Sequence, residues 1–148
     1  MMRKFTLEPG QALFLDPGVL HSYLGGVALE VMGSSDNVVR AGFTNKPKDP
    51  LALLGIIDFE LRPEIQVPSS DHHRFKVPTS EFDVEKINGS VQVKDREGTD
   101  VVVAVSRETT LTSEKETLII QQGSAAWVPL AEGLYEIRTL GSAYRVVG

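Results

Sequence analysis

From residue 82 to the end of the chain, apolar residues come in short runs that alternate with polar ones and stop at Gly, Ser, Pro or charge. That is the pattern of short strands with one face against a core. It predicts strands at residues 82–84, 91–93, 101–105, 109–112, 117–121, 125–128, 134–138 and 144–147, with turns at Asn88-Gly89 and at Arg96-Glu97-Gly98-Thr99. Residues 101–105, all apolar, read as a buried central strand. About eight strands so spaced argue for an all-β lobe, a β-sandwich or jelly roll.

The first half is patterned differently. Residues 4–7 resemble a strand end, Glu8-Pro9-Gly10 a turn, and residues 12–15 a short strand stopped by Asp16-Pro17-Gly18. Residues 27–32 are nearly all apolar around Glu30, which predicts a strand buried on both faces with one carboxylate turned toward a cavity. Residues 33–45 lack a period and read as an ordered loop. Asp49-Pro50 is a helix start, because aspartate caps free amides and proline fits the first helical position. Leu51, Leu53, Leu54 and Ile57 would form the apolar side of this one short helix, and Gly55 argues against a long one. Residues 62–78 carry three prolines and a His-His pair, the composition of a surface connector. The expected division is therefore residues 1–61, a connector at 62–80, and a second β-barrel lobe at 81–148. A faint echo links the halves: Gly10, Phe14 and Pro17 in one, Gly123, Trp127 and Pro129 in the other. The second copy has Leu134 and Tyr135 where His21 would fall.

Composition narrows the function classes. With 41% hydrophobic and 24% charged residues in 148, the chain is globular, sized for one domain or two small lobes. A net charge of -5 opposes unspecific attraction to nucleic acid or anionic membranes, so an anionic substrate needs a local basic cluster. The absence of cysteine excludes disulfides and thiolate chemistry. No apolar run approaches the roughly 20 residues of a membrane span. The first ten residues lack a signal-peptide core, making the cytoplasm the default location.

Chemistry-bearing side chains concentrate in residues 10–46. His21 follows a tight turn that can aim its imidazole inward; the plain alternative is a histidine satisfied by a backbone hydrogen bond. Tyr23, two residues on, shares its face on a strand, or simply packs as an aromatic. A buried Glu30 requires a partner or a cation, with a structural ion pair to an arginine as the competing reading. Arg40, Lys46 and Lys48 form the nearby cationic group; Lys48 reads as a solvated lysine, whereas Arg40, between Val39 and Ala41, is harder to assign to the surface. His72 and His73 are neighbours in an extended segment, so their rings point apart and do not suggest a metal pair.

These residues carry a resemblance. Gly10 followed by Pro17-Gly18-x-x-His21 resembles the second motif of the cupins, small jelly-roll barrels that often hold one divalent metal. More specifically, LHSYLGGVALEVMGSSDNVVRAGFTNK is similar to the segment of type I mannose-6-phosphate isomerases that carries a histidine ligand, a tyrosine, a glutamate and the SDNVxRAG motif. KPKDPLALLGIIDF, PTSEFDVEKI and the terminal β-region resemble the same family in the same order, which corresponds to the back half of the enzyme.

The resemblance implies an all-β, cupin-like fold with one short helix, residues 1–61 being part of a catalytic barrel left incomplete. It implies an aldose-ketose isomerase acting on a sugar phosphate. His21 would be a zinc ligand, Tyr23 and Lys46 substrate-binding residues, and Arg40 and Glu30 catalytic ones; Asp36 and Asn37 would shape the loop presenting Arg40. Ser22 stands where the family usually has alanine, and Asn45 where proline commonly precedes the lysine, which loosens the backbone before Lys46. The family's other metal ligands, a glutamine, a histidine and a glutamate, belong to an earlier segment that these residues do not contain. One ligand holds zinc poorly, since a catalytic site uses about three protein ligands plus water. The expectation is a fragment or truncated homologue, inactive alone, or else a non-catalytic sugar-phosphate-binding or dimerisation module. Open barrel edges would pair with a second copy or with a polypeptide supplying the other half.

Overall fold

The computed structural model describes residues 3–35, 37–70 and 73–148. The chain forms two compact units, one of Leu13–Ile65 and one made of Gln66–Gly148 together with the residues up to Ala12. It crosses between them in two-residue strands, β1 (Ala12–Leu13) and β2 (Ile65–Gln66).

The larger unit is built on two long strands. β3 (Asp83–Val93) and β8 (Tyr135–Val147) run antiparallel over their whole length, from Asp83 opposite Val147 to Val93 opposite Tyr135. The other edge of β8 is shared. Its first half pairs with β5 (Thr109–Ser113), which pairs with β6 (Thr117–Ile120). Its second half pairs with β4 (Asp100–Ser106), which pairs with β7 (Ala125–Val128). One sheet thus curls into two four-stranded halves that share the long strands, a cupin-like half-barrel. The core lies on its inner face, with Val102, Ala104, Ile137 and Ala143 fully enclosed and Leu111 and Tyr135 beside them.

One predicted turn and one predicted gap between strands lie within continuous strands. Asn88-Gly89 does not reverse the chain; β3 runs through it, with a register shift between Ile87 and Gly89 and Gly89 at φ +83°. Across this shift β3 advances two residues and β8 four, so the extra residues lie in β8, a β-bulge that bends the sheet without ending it. Likewise residues 134–138 and 144–147 belong to one strand, β8, which changes partner from β5 to β4 around Gly141. β4 is flanked on both sides as expected, but only Val102 and Ala104 enter the core, while Val101 and Val105 stay 37% and 40% exposed. The glycine echo has a structural counterpart: Glu8 to Gln11 and Gln121 to Ser124 are matching hydrogen-bonded turns, with Gly10 at φ +90° and Gly123 at +80°, each leading into a strand.

The inner face also holds a charged cluster. Asp100, 1% exposed, meets Arg96 Nε at 2.8 Å and Arg145 Nη2 at 3.0 Å, and accepts a 2.7 Å hydrogen bond from the Tyr135 hydroxyl. Arg145 Nη1 reaches Glu85 at 3.1 Å. Arg96 also donates to the carbonyls of Val128 and Pro129, pinning the loop after β7.

In the smaller unit the predicted helix is present as α1 (Pro50–Ile56), its first turn capped by Asp49, whose carboxylate accepts from Ala52 N at 2.9 Å. Its end is tied to the Asp16-Pro17-Gly18 turn, where Asp58 N donates to Gly18 O at 3.0 Å. Gly18 is at φ +89°, and a side chain there would start 2.6 Å from the Ile56 carbonyl, so the position requires glycine. Leu53 and Ile57 are half-buried, but Leu51 and Leu54 are 82% and 70% exposed. Residues 27–32 form no strand, and Glu30 is exposed rather than buried. An apolar run becomes a strand only where a neighbour pairs with its backbone, and none among the described residues does. No described residue of this unit is fully buried.

Candidate functional site

The turn at residues 16–19, closed by Val19 N donating to Asp16 O at 3.1 Å, sets the path of the chain into His21. His21 Nδ1 lies 2.9 Å from the Val19 carbonyl oxygen. A carbonyl only accepts, so Nδ1 carries a proton in this contact. That is the backbone bond of the plain reading, and a neutral imidazole bonded in this way binds metal through Nε2. The Tyr23 ring stands edge-on to His21, with centroids 6.0 Å apart. Its hydroxyl donates to Glu30 Oε1 at 2.8 Å. Thus Glu30 has a phenol as its partner, not the arginine foreseen as the structural alternative.

Three of the five candidates therefore meet, His21, Tyr23 and Glu30. Arg40 is half-buried and Lys46 exposed, the latter held through its backbone N–H to Thr44 Oγ1 at 3.1 Å. No hydrogen bond or ion pair joins either cation to the first three. Asn37 Oδ1 accepts from Ser35 Oγ at 2.9 Å, a local bond in the loop leading to Arg40; Asp36 lies outside the described residues. His72 also lies outside them, and His73, at φ +53°, belongs to the other unit, its carbonyl accepting from Lys86 N.

Partial burial, followed by the hydrogen bond to Glu30 and its charge, pushes the Tyr23 phenol up to about 12. The folded value exceeds the ordinary one of about 10, so the contribution to stability is complete below pH 10 and is lost as pH rises through the folded value. Difference titration of phenolate absorbance, wild type minus Tyr23→Phe, should centre near the raised value and move down toward the ordinary one when Glu30→Gln is added. A transition unmoved by Glu30→Gln would remove Glu30 as a cause.

A zinc site needs more than the residues present. His21 offers one well-oriented nitrogen, yet no group of three His, Asp or Glu side chains able to hold a metal occurs among the described residues. The donor set does not fit a complete zinc site. No described helix is long and apolar enough to cross a membrane.

Comparison with known proteins identifies the relatives. No family model matches the chain. Mannose-6-phosphate isomerase of Escherichia coli K12 is 31% identical over 153 aligned residues, covering 99% of this chain and 39% of its own length. Mannose-6-phosphate isomerase 1 of Arabidopsis thaliana is 34% identical over 131, covering 83% and 30%. The chain is related to the mannose-6-phosphate isomerases. It spans about two fifths of the E. coli relative's length, as the 39% coverage states. Solved structures of the Salmonella typhimurium isomerase agree in fold: the apo form superimposes with a TM-score of 0.64 at 23% identity over 79% of this chain and 32% of that one. The form bound to substrate and a zinc atom gives the same values. At that identity the likeness to the isomerase structures establishes the fold.

The residues that the sequence did not single out are Arg96, Asp100, Tyr135 and Arg145. A signal was available. Asp100 is in phase with Val102 and Ala104, and Arg145 with Ala143, so strand alternation places both on the inner face.

Proposed function

We infer that the chain contributes one wall of a mannose-6-phosphate isomerase site, as the C-terminal portion of such an enzyme. The observation that carries this reading is the His21–Tyr23–Glu30 constellation, set in a stretch alignable with the isomerases and followed by the SDNVVRAG run. Residues 1–61 then belong to the catalytic barrel, 62–80 to a connector and 81–148 to a non-catalytic lobe. The reaction interconverts mannose 6-phosphate and fructose 6-phosphate by moving a proton between C2 and C1 through an enediol. On this reading Glu30 moves the proton. Arg40, always charged and able to bind paired oxygens, holds the enediolate charge. Tyr23 and Lys46 contact substrate, Lys46 through its phosphate or hydroxyl oxygens. His21 is one zinc ligand, and the others come from a polypeptide equivalent to the part of the relatives that this chain does not match. The exposure of large apolar side chains such as Val27, Phe43 and Leu51 in the smaller unit supports such a partner.

The chain alone should show no isomerase activity above background and weak zinc affinity by competition with a chelating dye. Adding the separately produced unmatched part of the E. coli isomerase should raise both, and Arg40→Ala should abolish the restored activity. Full activity of the chain alone would sink the proposal that ligands are lacking. The second reading, a non-catalytic sugar-phosphate-binding or dimerising module, is favoured by the lack of a three-ligand group among the described residues. It is supported if fructose 6-phosphate binds in the presence of chelator, Arg40→Ala weakens that binding, and complementation restores nothing.

A further inference from the structure

The larger unit contains a cavity remote in sequence from residues 10–46. A slot of about 120 Å³ opens between the edge strands β6 and β7. Among the described residues, β6 pairs only with β5 and β7 only with β4, so both sides of the mouth are free sheet edges. Leu111 and Tyr135 line its depth; Leu118 and Trp127 flank it and remain 47% and 65% exposed. The Tyr135 hydroxyl is committed to Asp100, and the Arg96 guanidinium lies 5.1 Å from its ring centroid, so the tyrosine offers the slot only aromatic surface.

The polar end of the slot carries two acidic residues, one of them paired with a lysine. Glu132 accepts from Ser113 Oγ and pairs with Lys115 Nζ at 3.3 Å, and these two contacts hold its carboxyl below the usual carboxylate range. Ser113 is thereby used as a donor, both Glu132 oxygens are taken, and Glu116, the second acidic residue of the lining, has no ion pair among the described residues. A ligand here meets apolar and aromatic walls at one end and carboxylates at the other, so it must bring an apolar body and hydrogen-bond donors. The space suits one ring: an apolar cavity of roughly 150 Å³ accommodates benzene. An exposed indole also attracts cations through its π-face.

We propose that the slot between β6 and β7 binds a small organic ammonium compound, its ring or alkyl body against Leu111, Leu118 and Trp127 and its ammonium toward Glu116. The site is independent of the isomerase reading and takes a cation, whereas a sugar phosphate is an anion.

Trp127 is the only tryptophan in the chain, so its fluorescence reports on this slot alone. The full chain is titrated with benzylamine, an ammonium ion at neutral pH, and in parallel with benzyl alcohol, its neutral counterpart. Saturable change with benzylamine, weaker by about tenfold or more with the alcohol, is expected from the cation–π and carboxylate contributions. Glu116→Gln, at a surface position, should weaken the amine by several-fold and leave the alcohol unchanged. Backbone amide shifts in two-dimensional NMR should fall on Leu111, Leu118 and Tyr135. Equal response to amine and alcohol, no saturation, or shifts elsewhere would each overturn the proposal.

Discussion

Asp100→Ala should cost the larger unit about 3–5 kcal/mol, the range found when one partner of a buried ion pair is removed. Asp100 is 1% exposed and is the one carboxylate between two guanidinium groups whose side chains are 2% and 9% exposed. Without it Arg96 loses its ion pair. Arg145 keeps only Glu85, and Tyr135 has a buried hydroxyl with no acceptor. Burial, then the bond to Asp100, raises the Tyr135 phenol above its ordinary value, so in the intact protein the hydroxyl is a donor that Asp100 satisfies. The damage should spread to the loop that Arg96 pins through Val128 and Pro129. Urea unfolding followed by far-ultraviolet circular dichroism should show the lowered midpoint. A loss of less than about 1 kcal/mol would mean that water reaches the guanidinium groups and the cluster is not closed.

Strand periodicity made the larger unit legible because each of its strands has a neighbour. β7 matches the expected residues at both ends, and β4, β5 and β6 match to within a residue at each end. Turn chemistry misled at Asn88-Gly89, where the positive-φ glycine sits inside a continuous strand opposite the extra residues of β8 and not in a hairpin. The two long strands therefore each looked like two short ones. In the smaller unit local signals survived: Asp49 caps α1, and Asp16-Pro17-Gly18 turns the chain as expected. Readings that depended on burial did not. The apolar run around Glu30 has no pairing strand among the described residues, so hydrophobicity there reports a surface that calls for a partner, not a core. The His21–Tyr23–Glu30 group was visible as residue types at suitable spacing. That the phenol, not an arginine, meets Glu30 depends on a chain path seven residues long that periodicity does not specify.

Gly141→Ala should be nearly as damaging as the loss of Asp100, for a reason unrelated to charge. β8 leaves β5 and takes up β4 at this point, and the crossing strand passes so close that a Cβ on residue 141 would lie 1.8 Å from the Ser106 carbonyl oxygen and 2.7 Å from its carbon. Backbone atoms cannot swing aside as a side-chain tip would. Either the strands separate, breaking the Ser142 N to Ser106 Oγ bond of 2.9 Å, or the bend that lets β8 serve both halves of the curl is lost. Overpacking of this kind costs on the order of 3 kcal/mol. Gly89→Ala is the matching control, because Gly89 sits at φ +83° with nothing within 4 Å of its added carbon. Its cost should be only the left-handed backbone penalty of about 1–2 kcal/mol. If chemical denaturation ranks Gly141→Ala well above Gly89→Ala, the close approach of β8 to β4 is what shapes the half-barrel. If the two are equal, the bend of β3 at Gly89 contributes as much to the curl, and the crossing at Ser106 has room to relax.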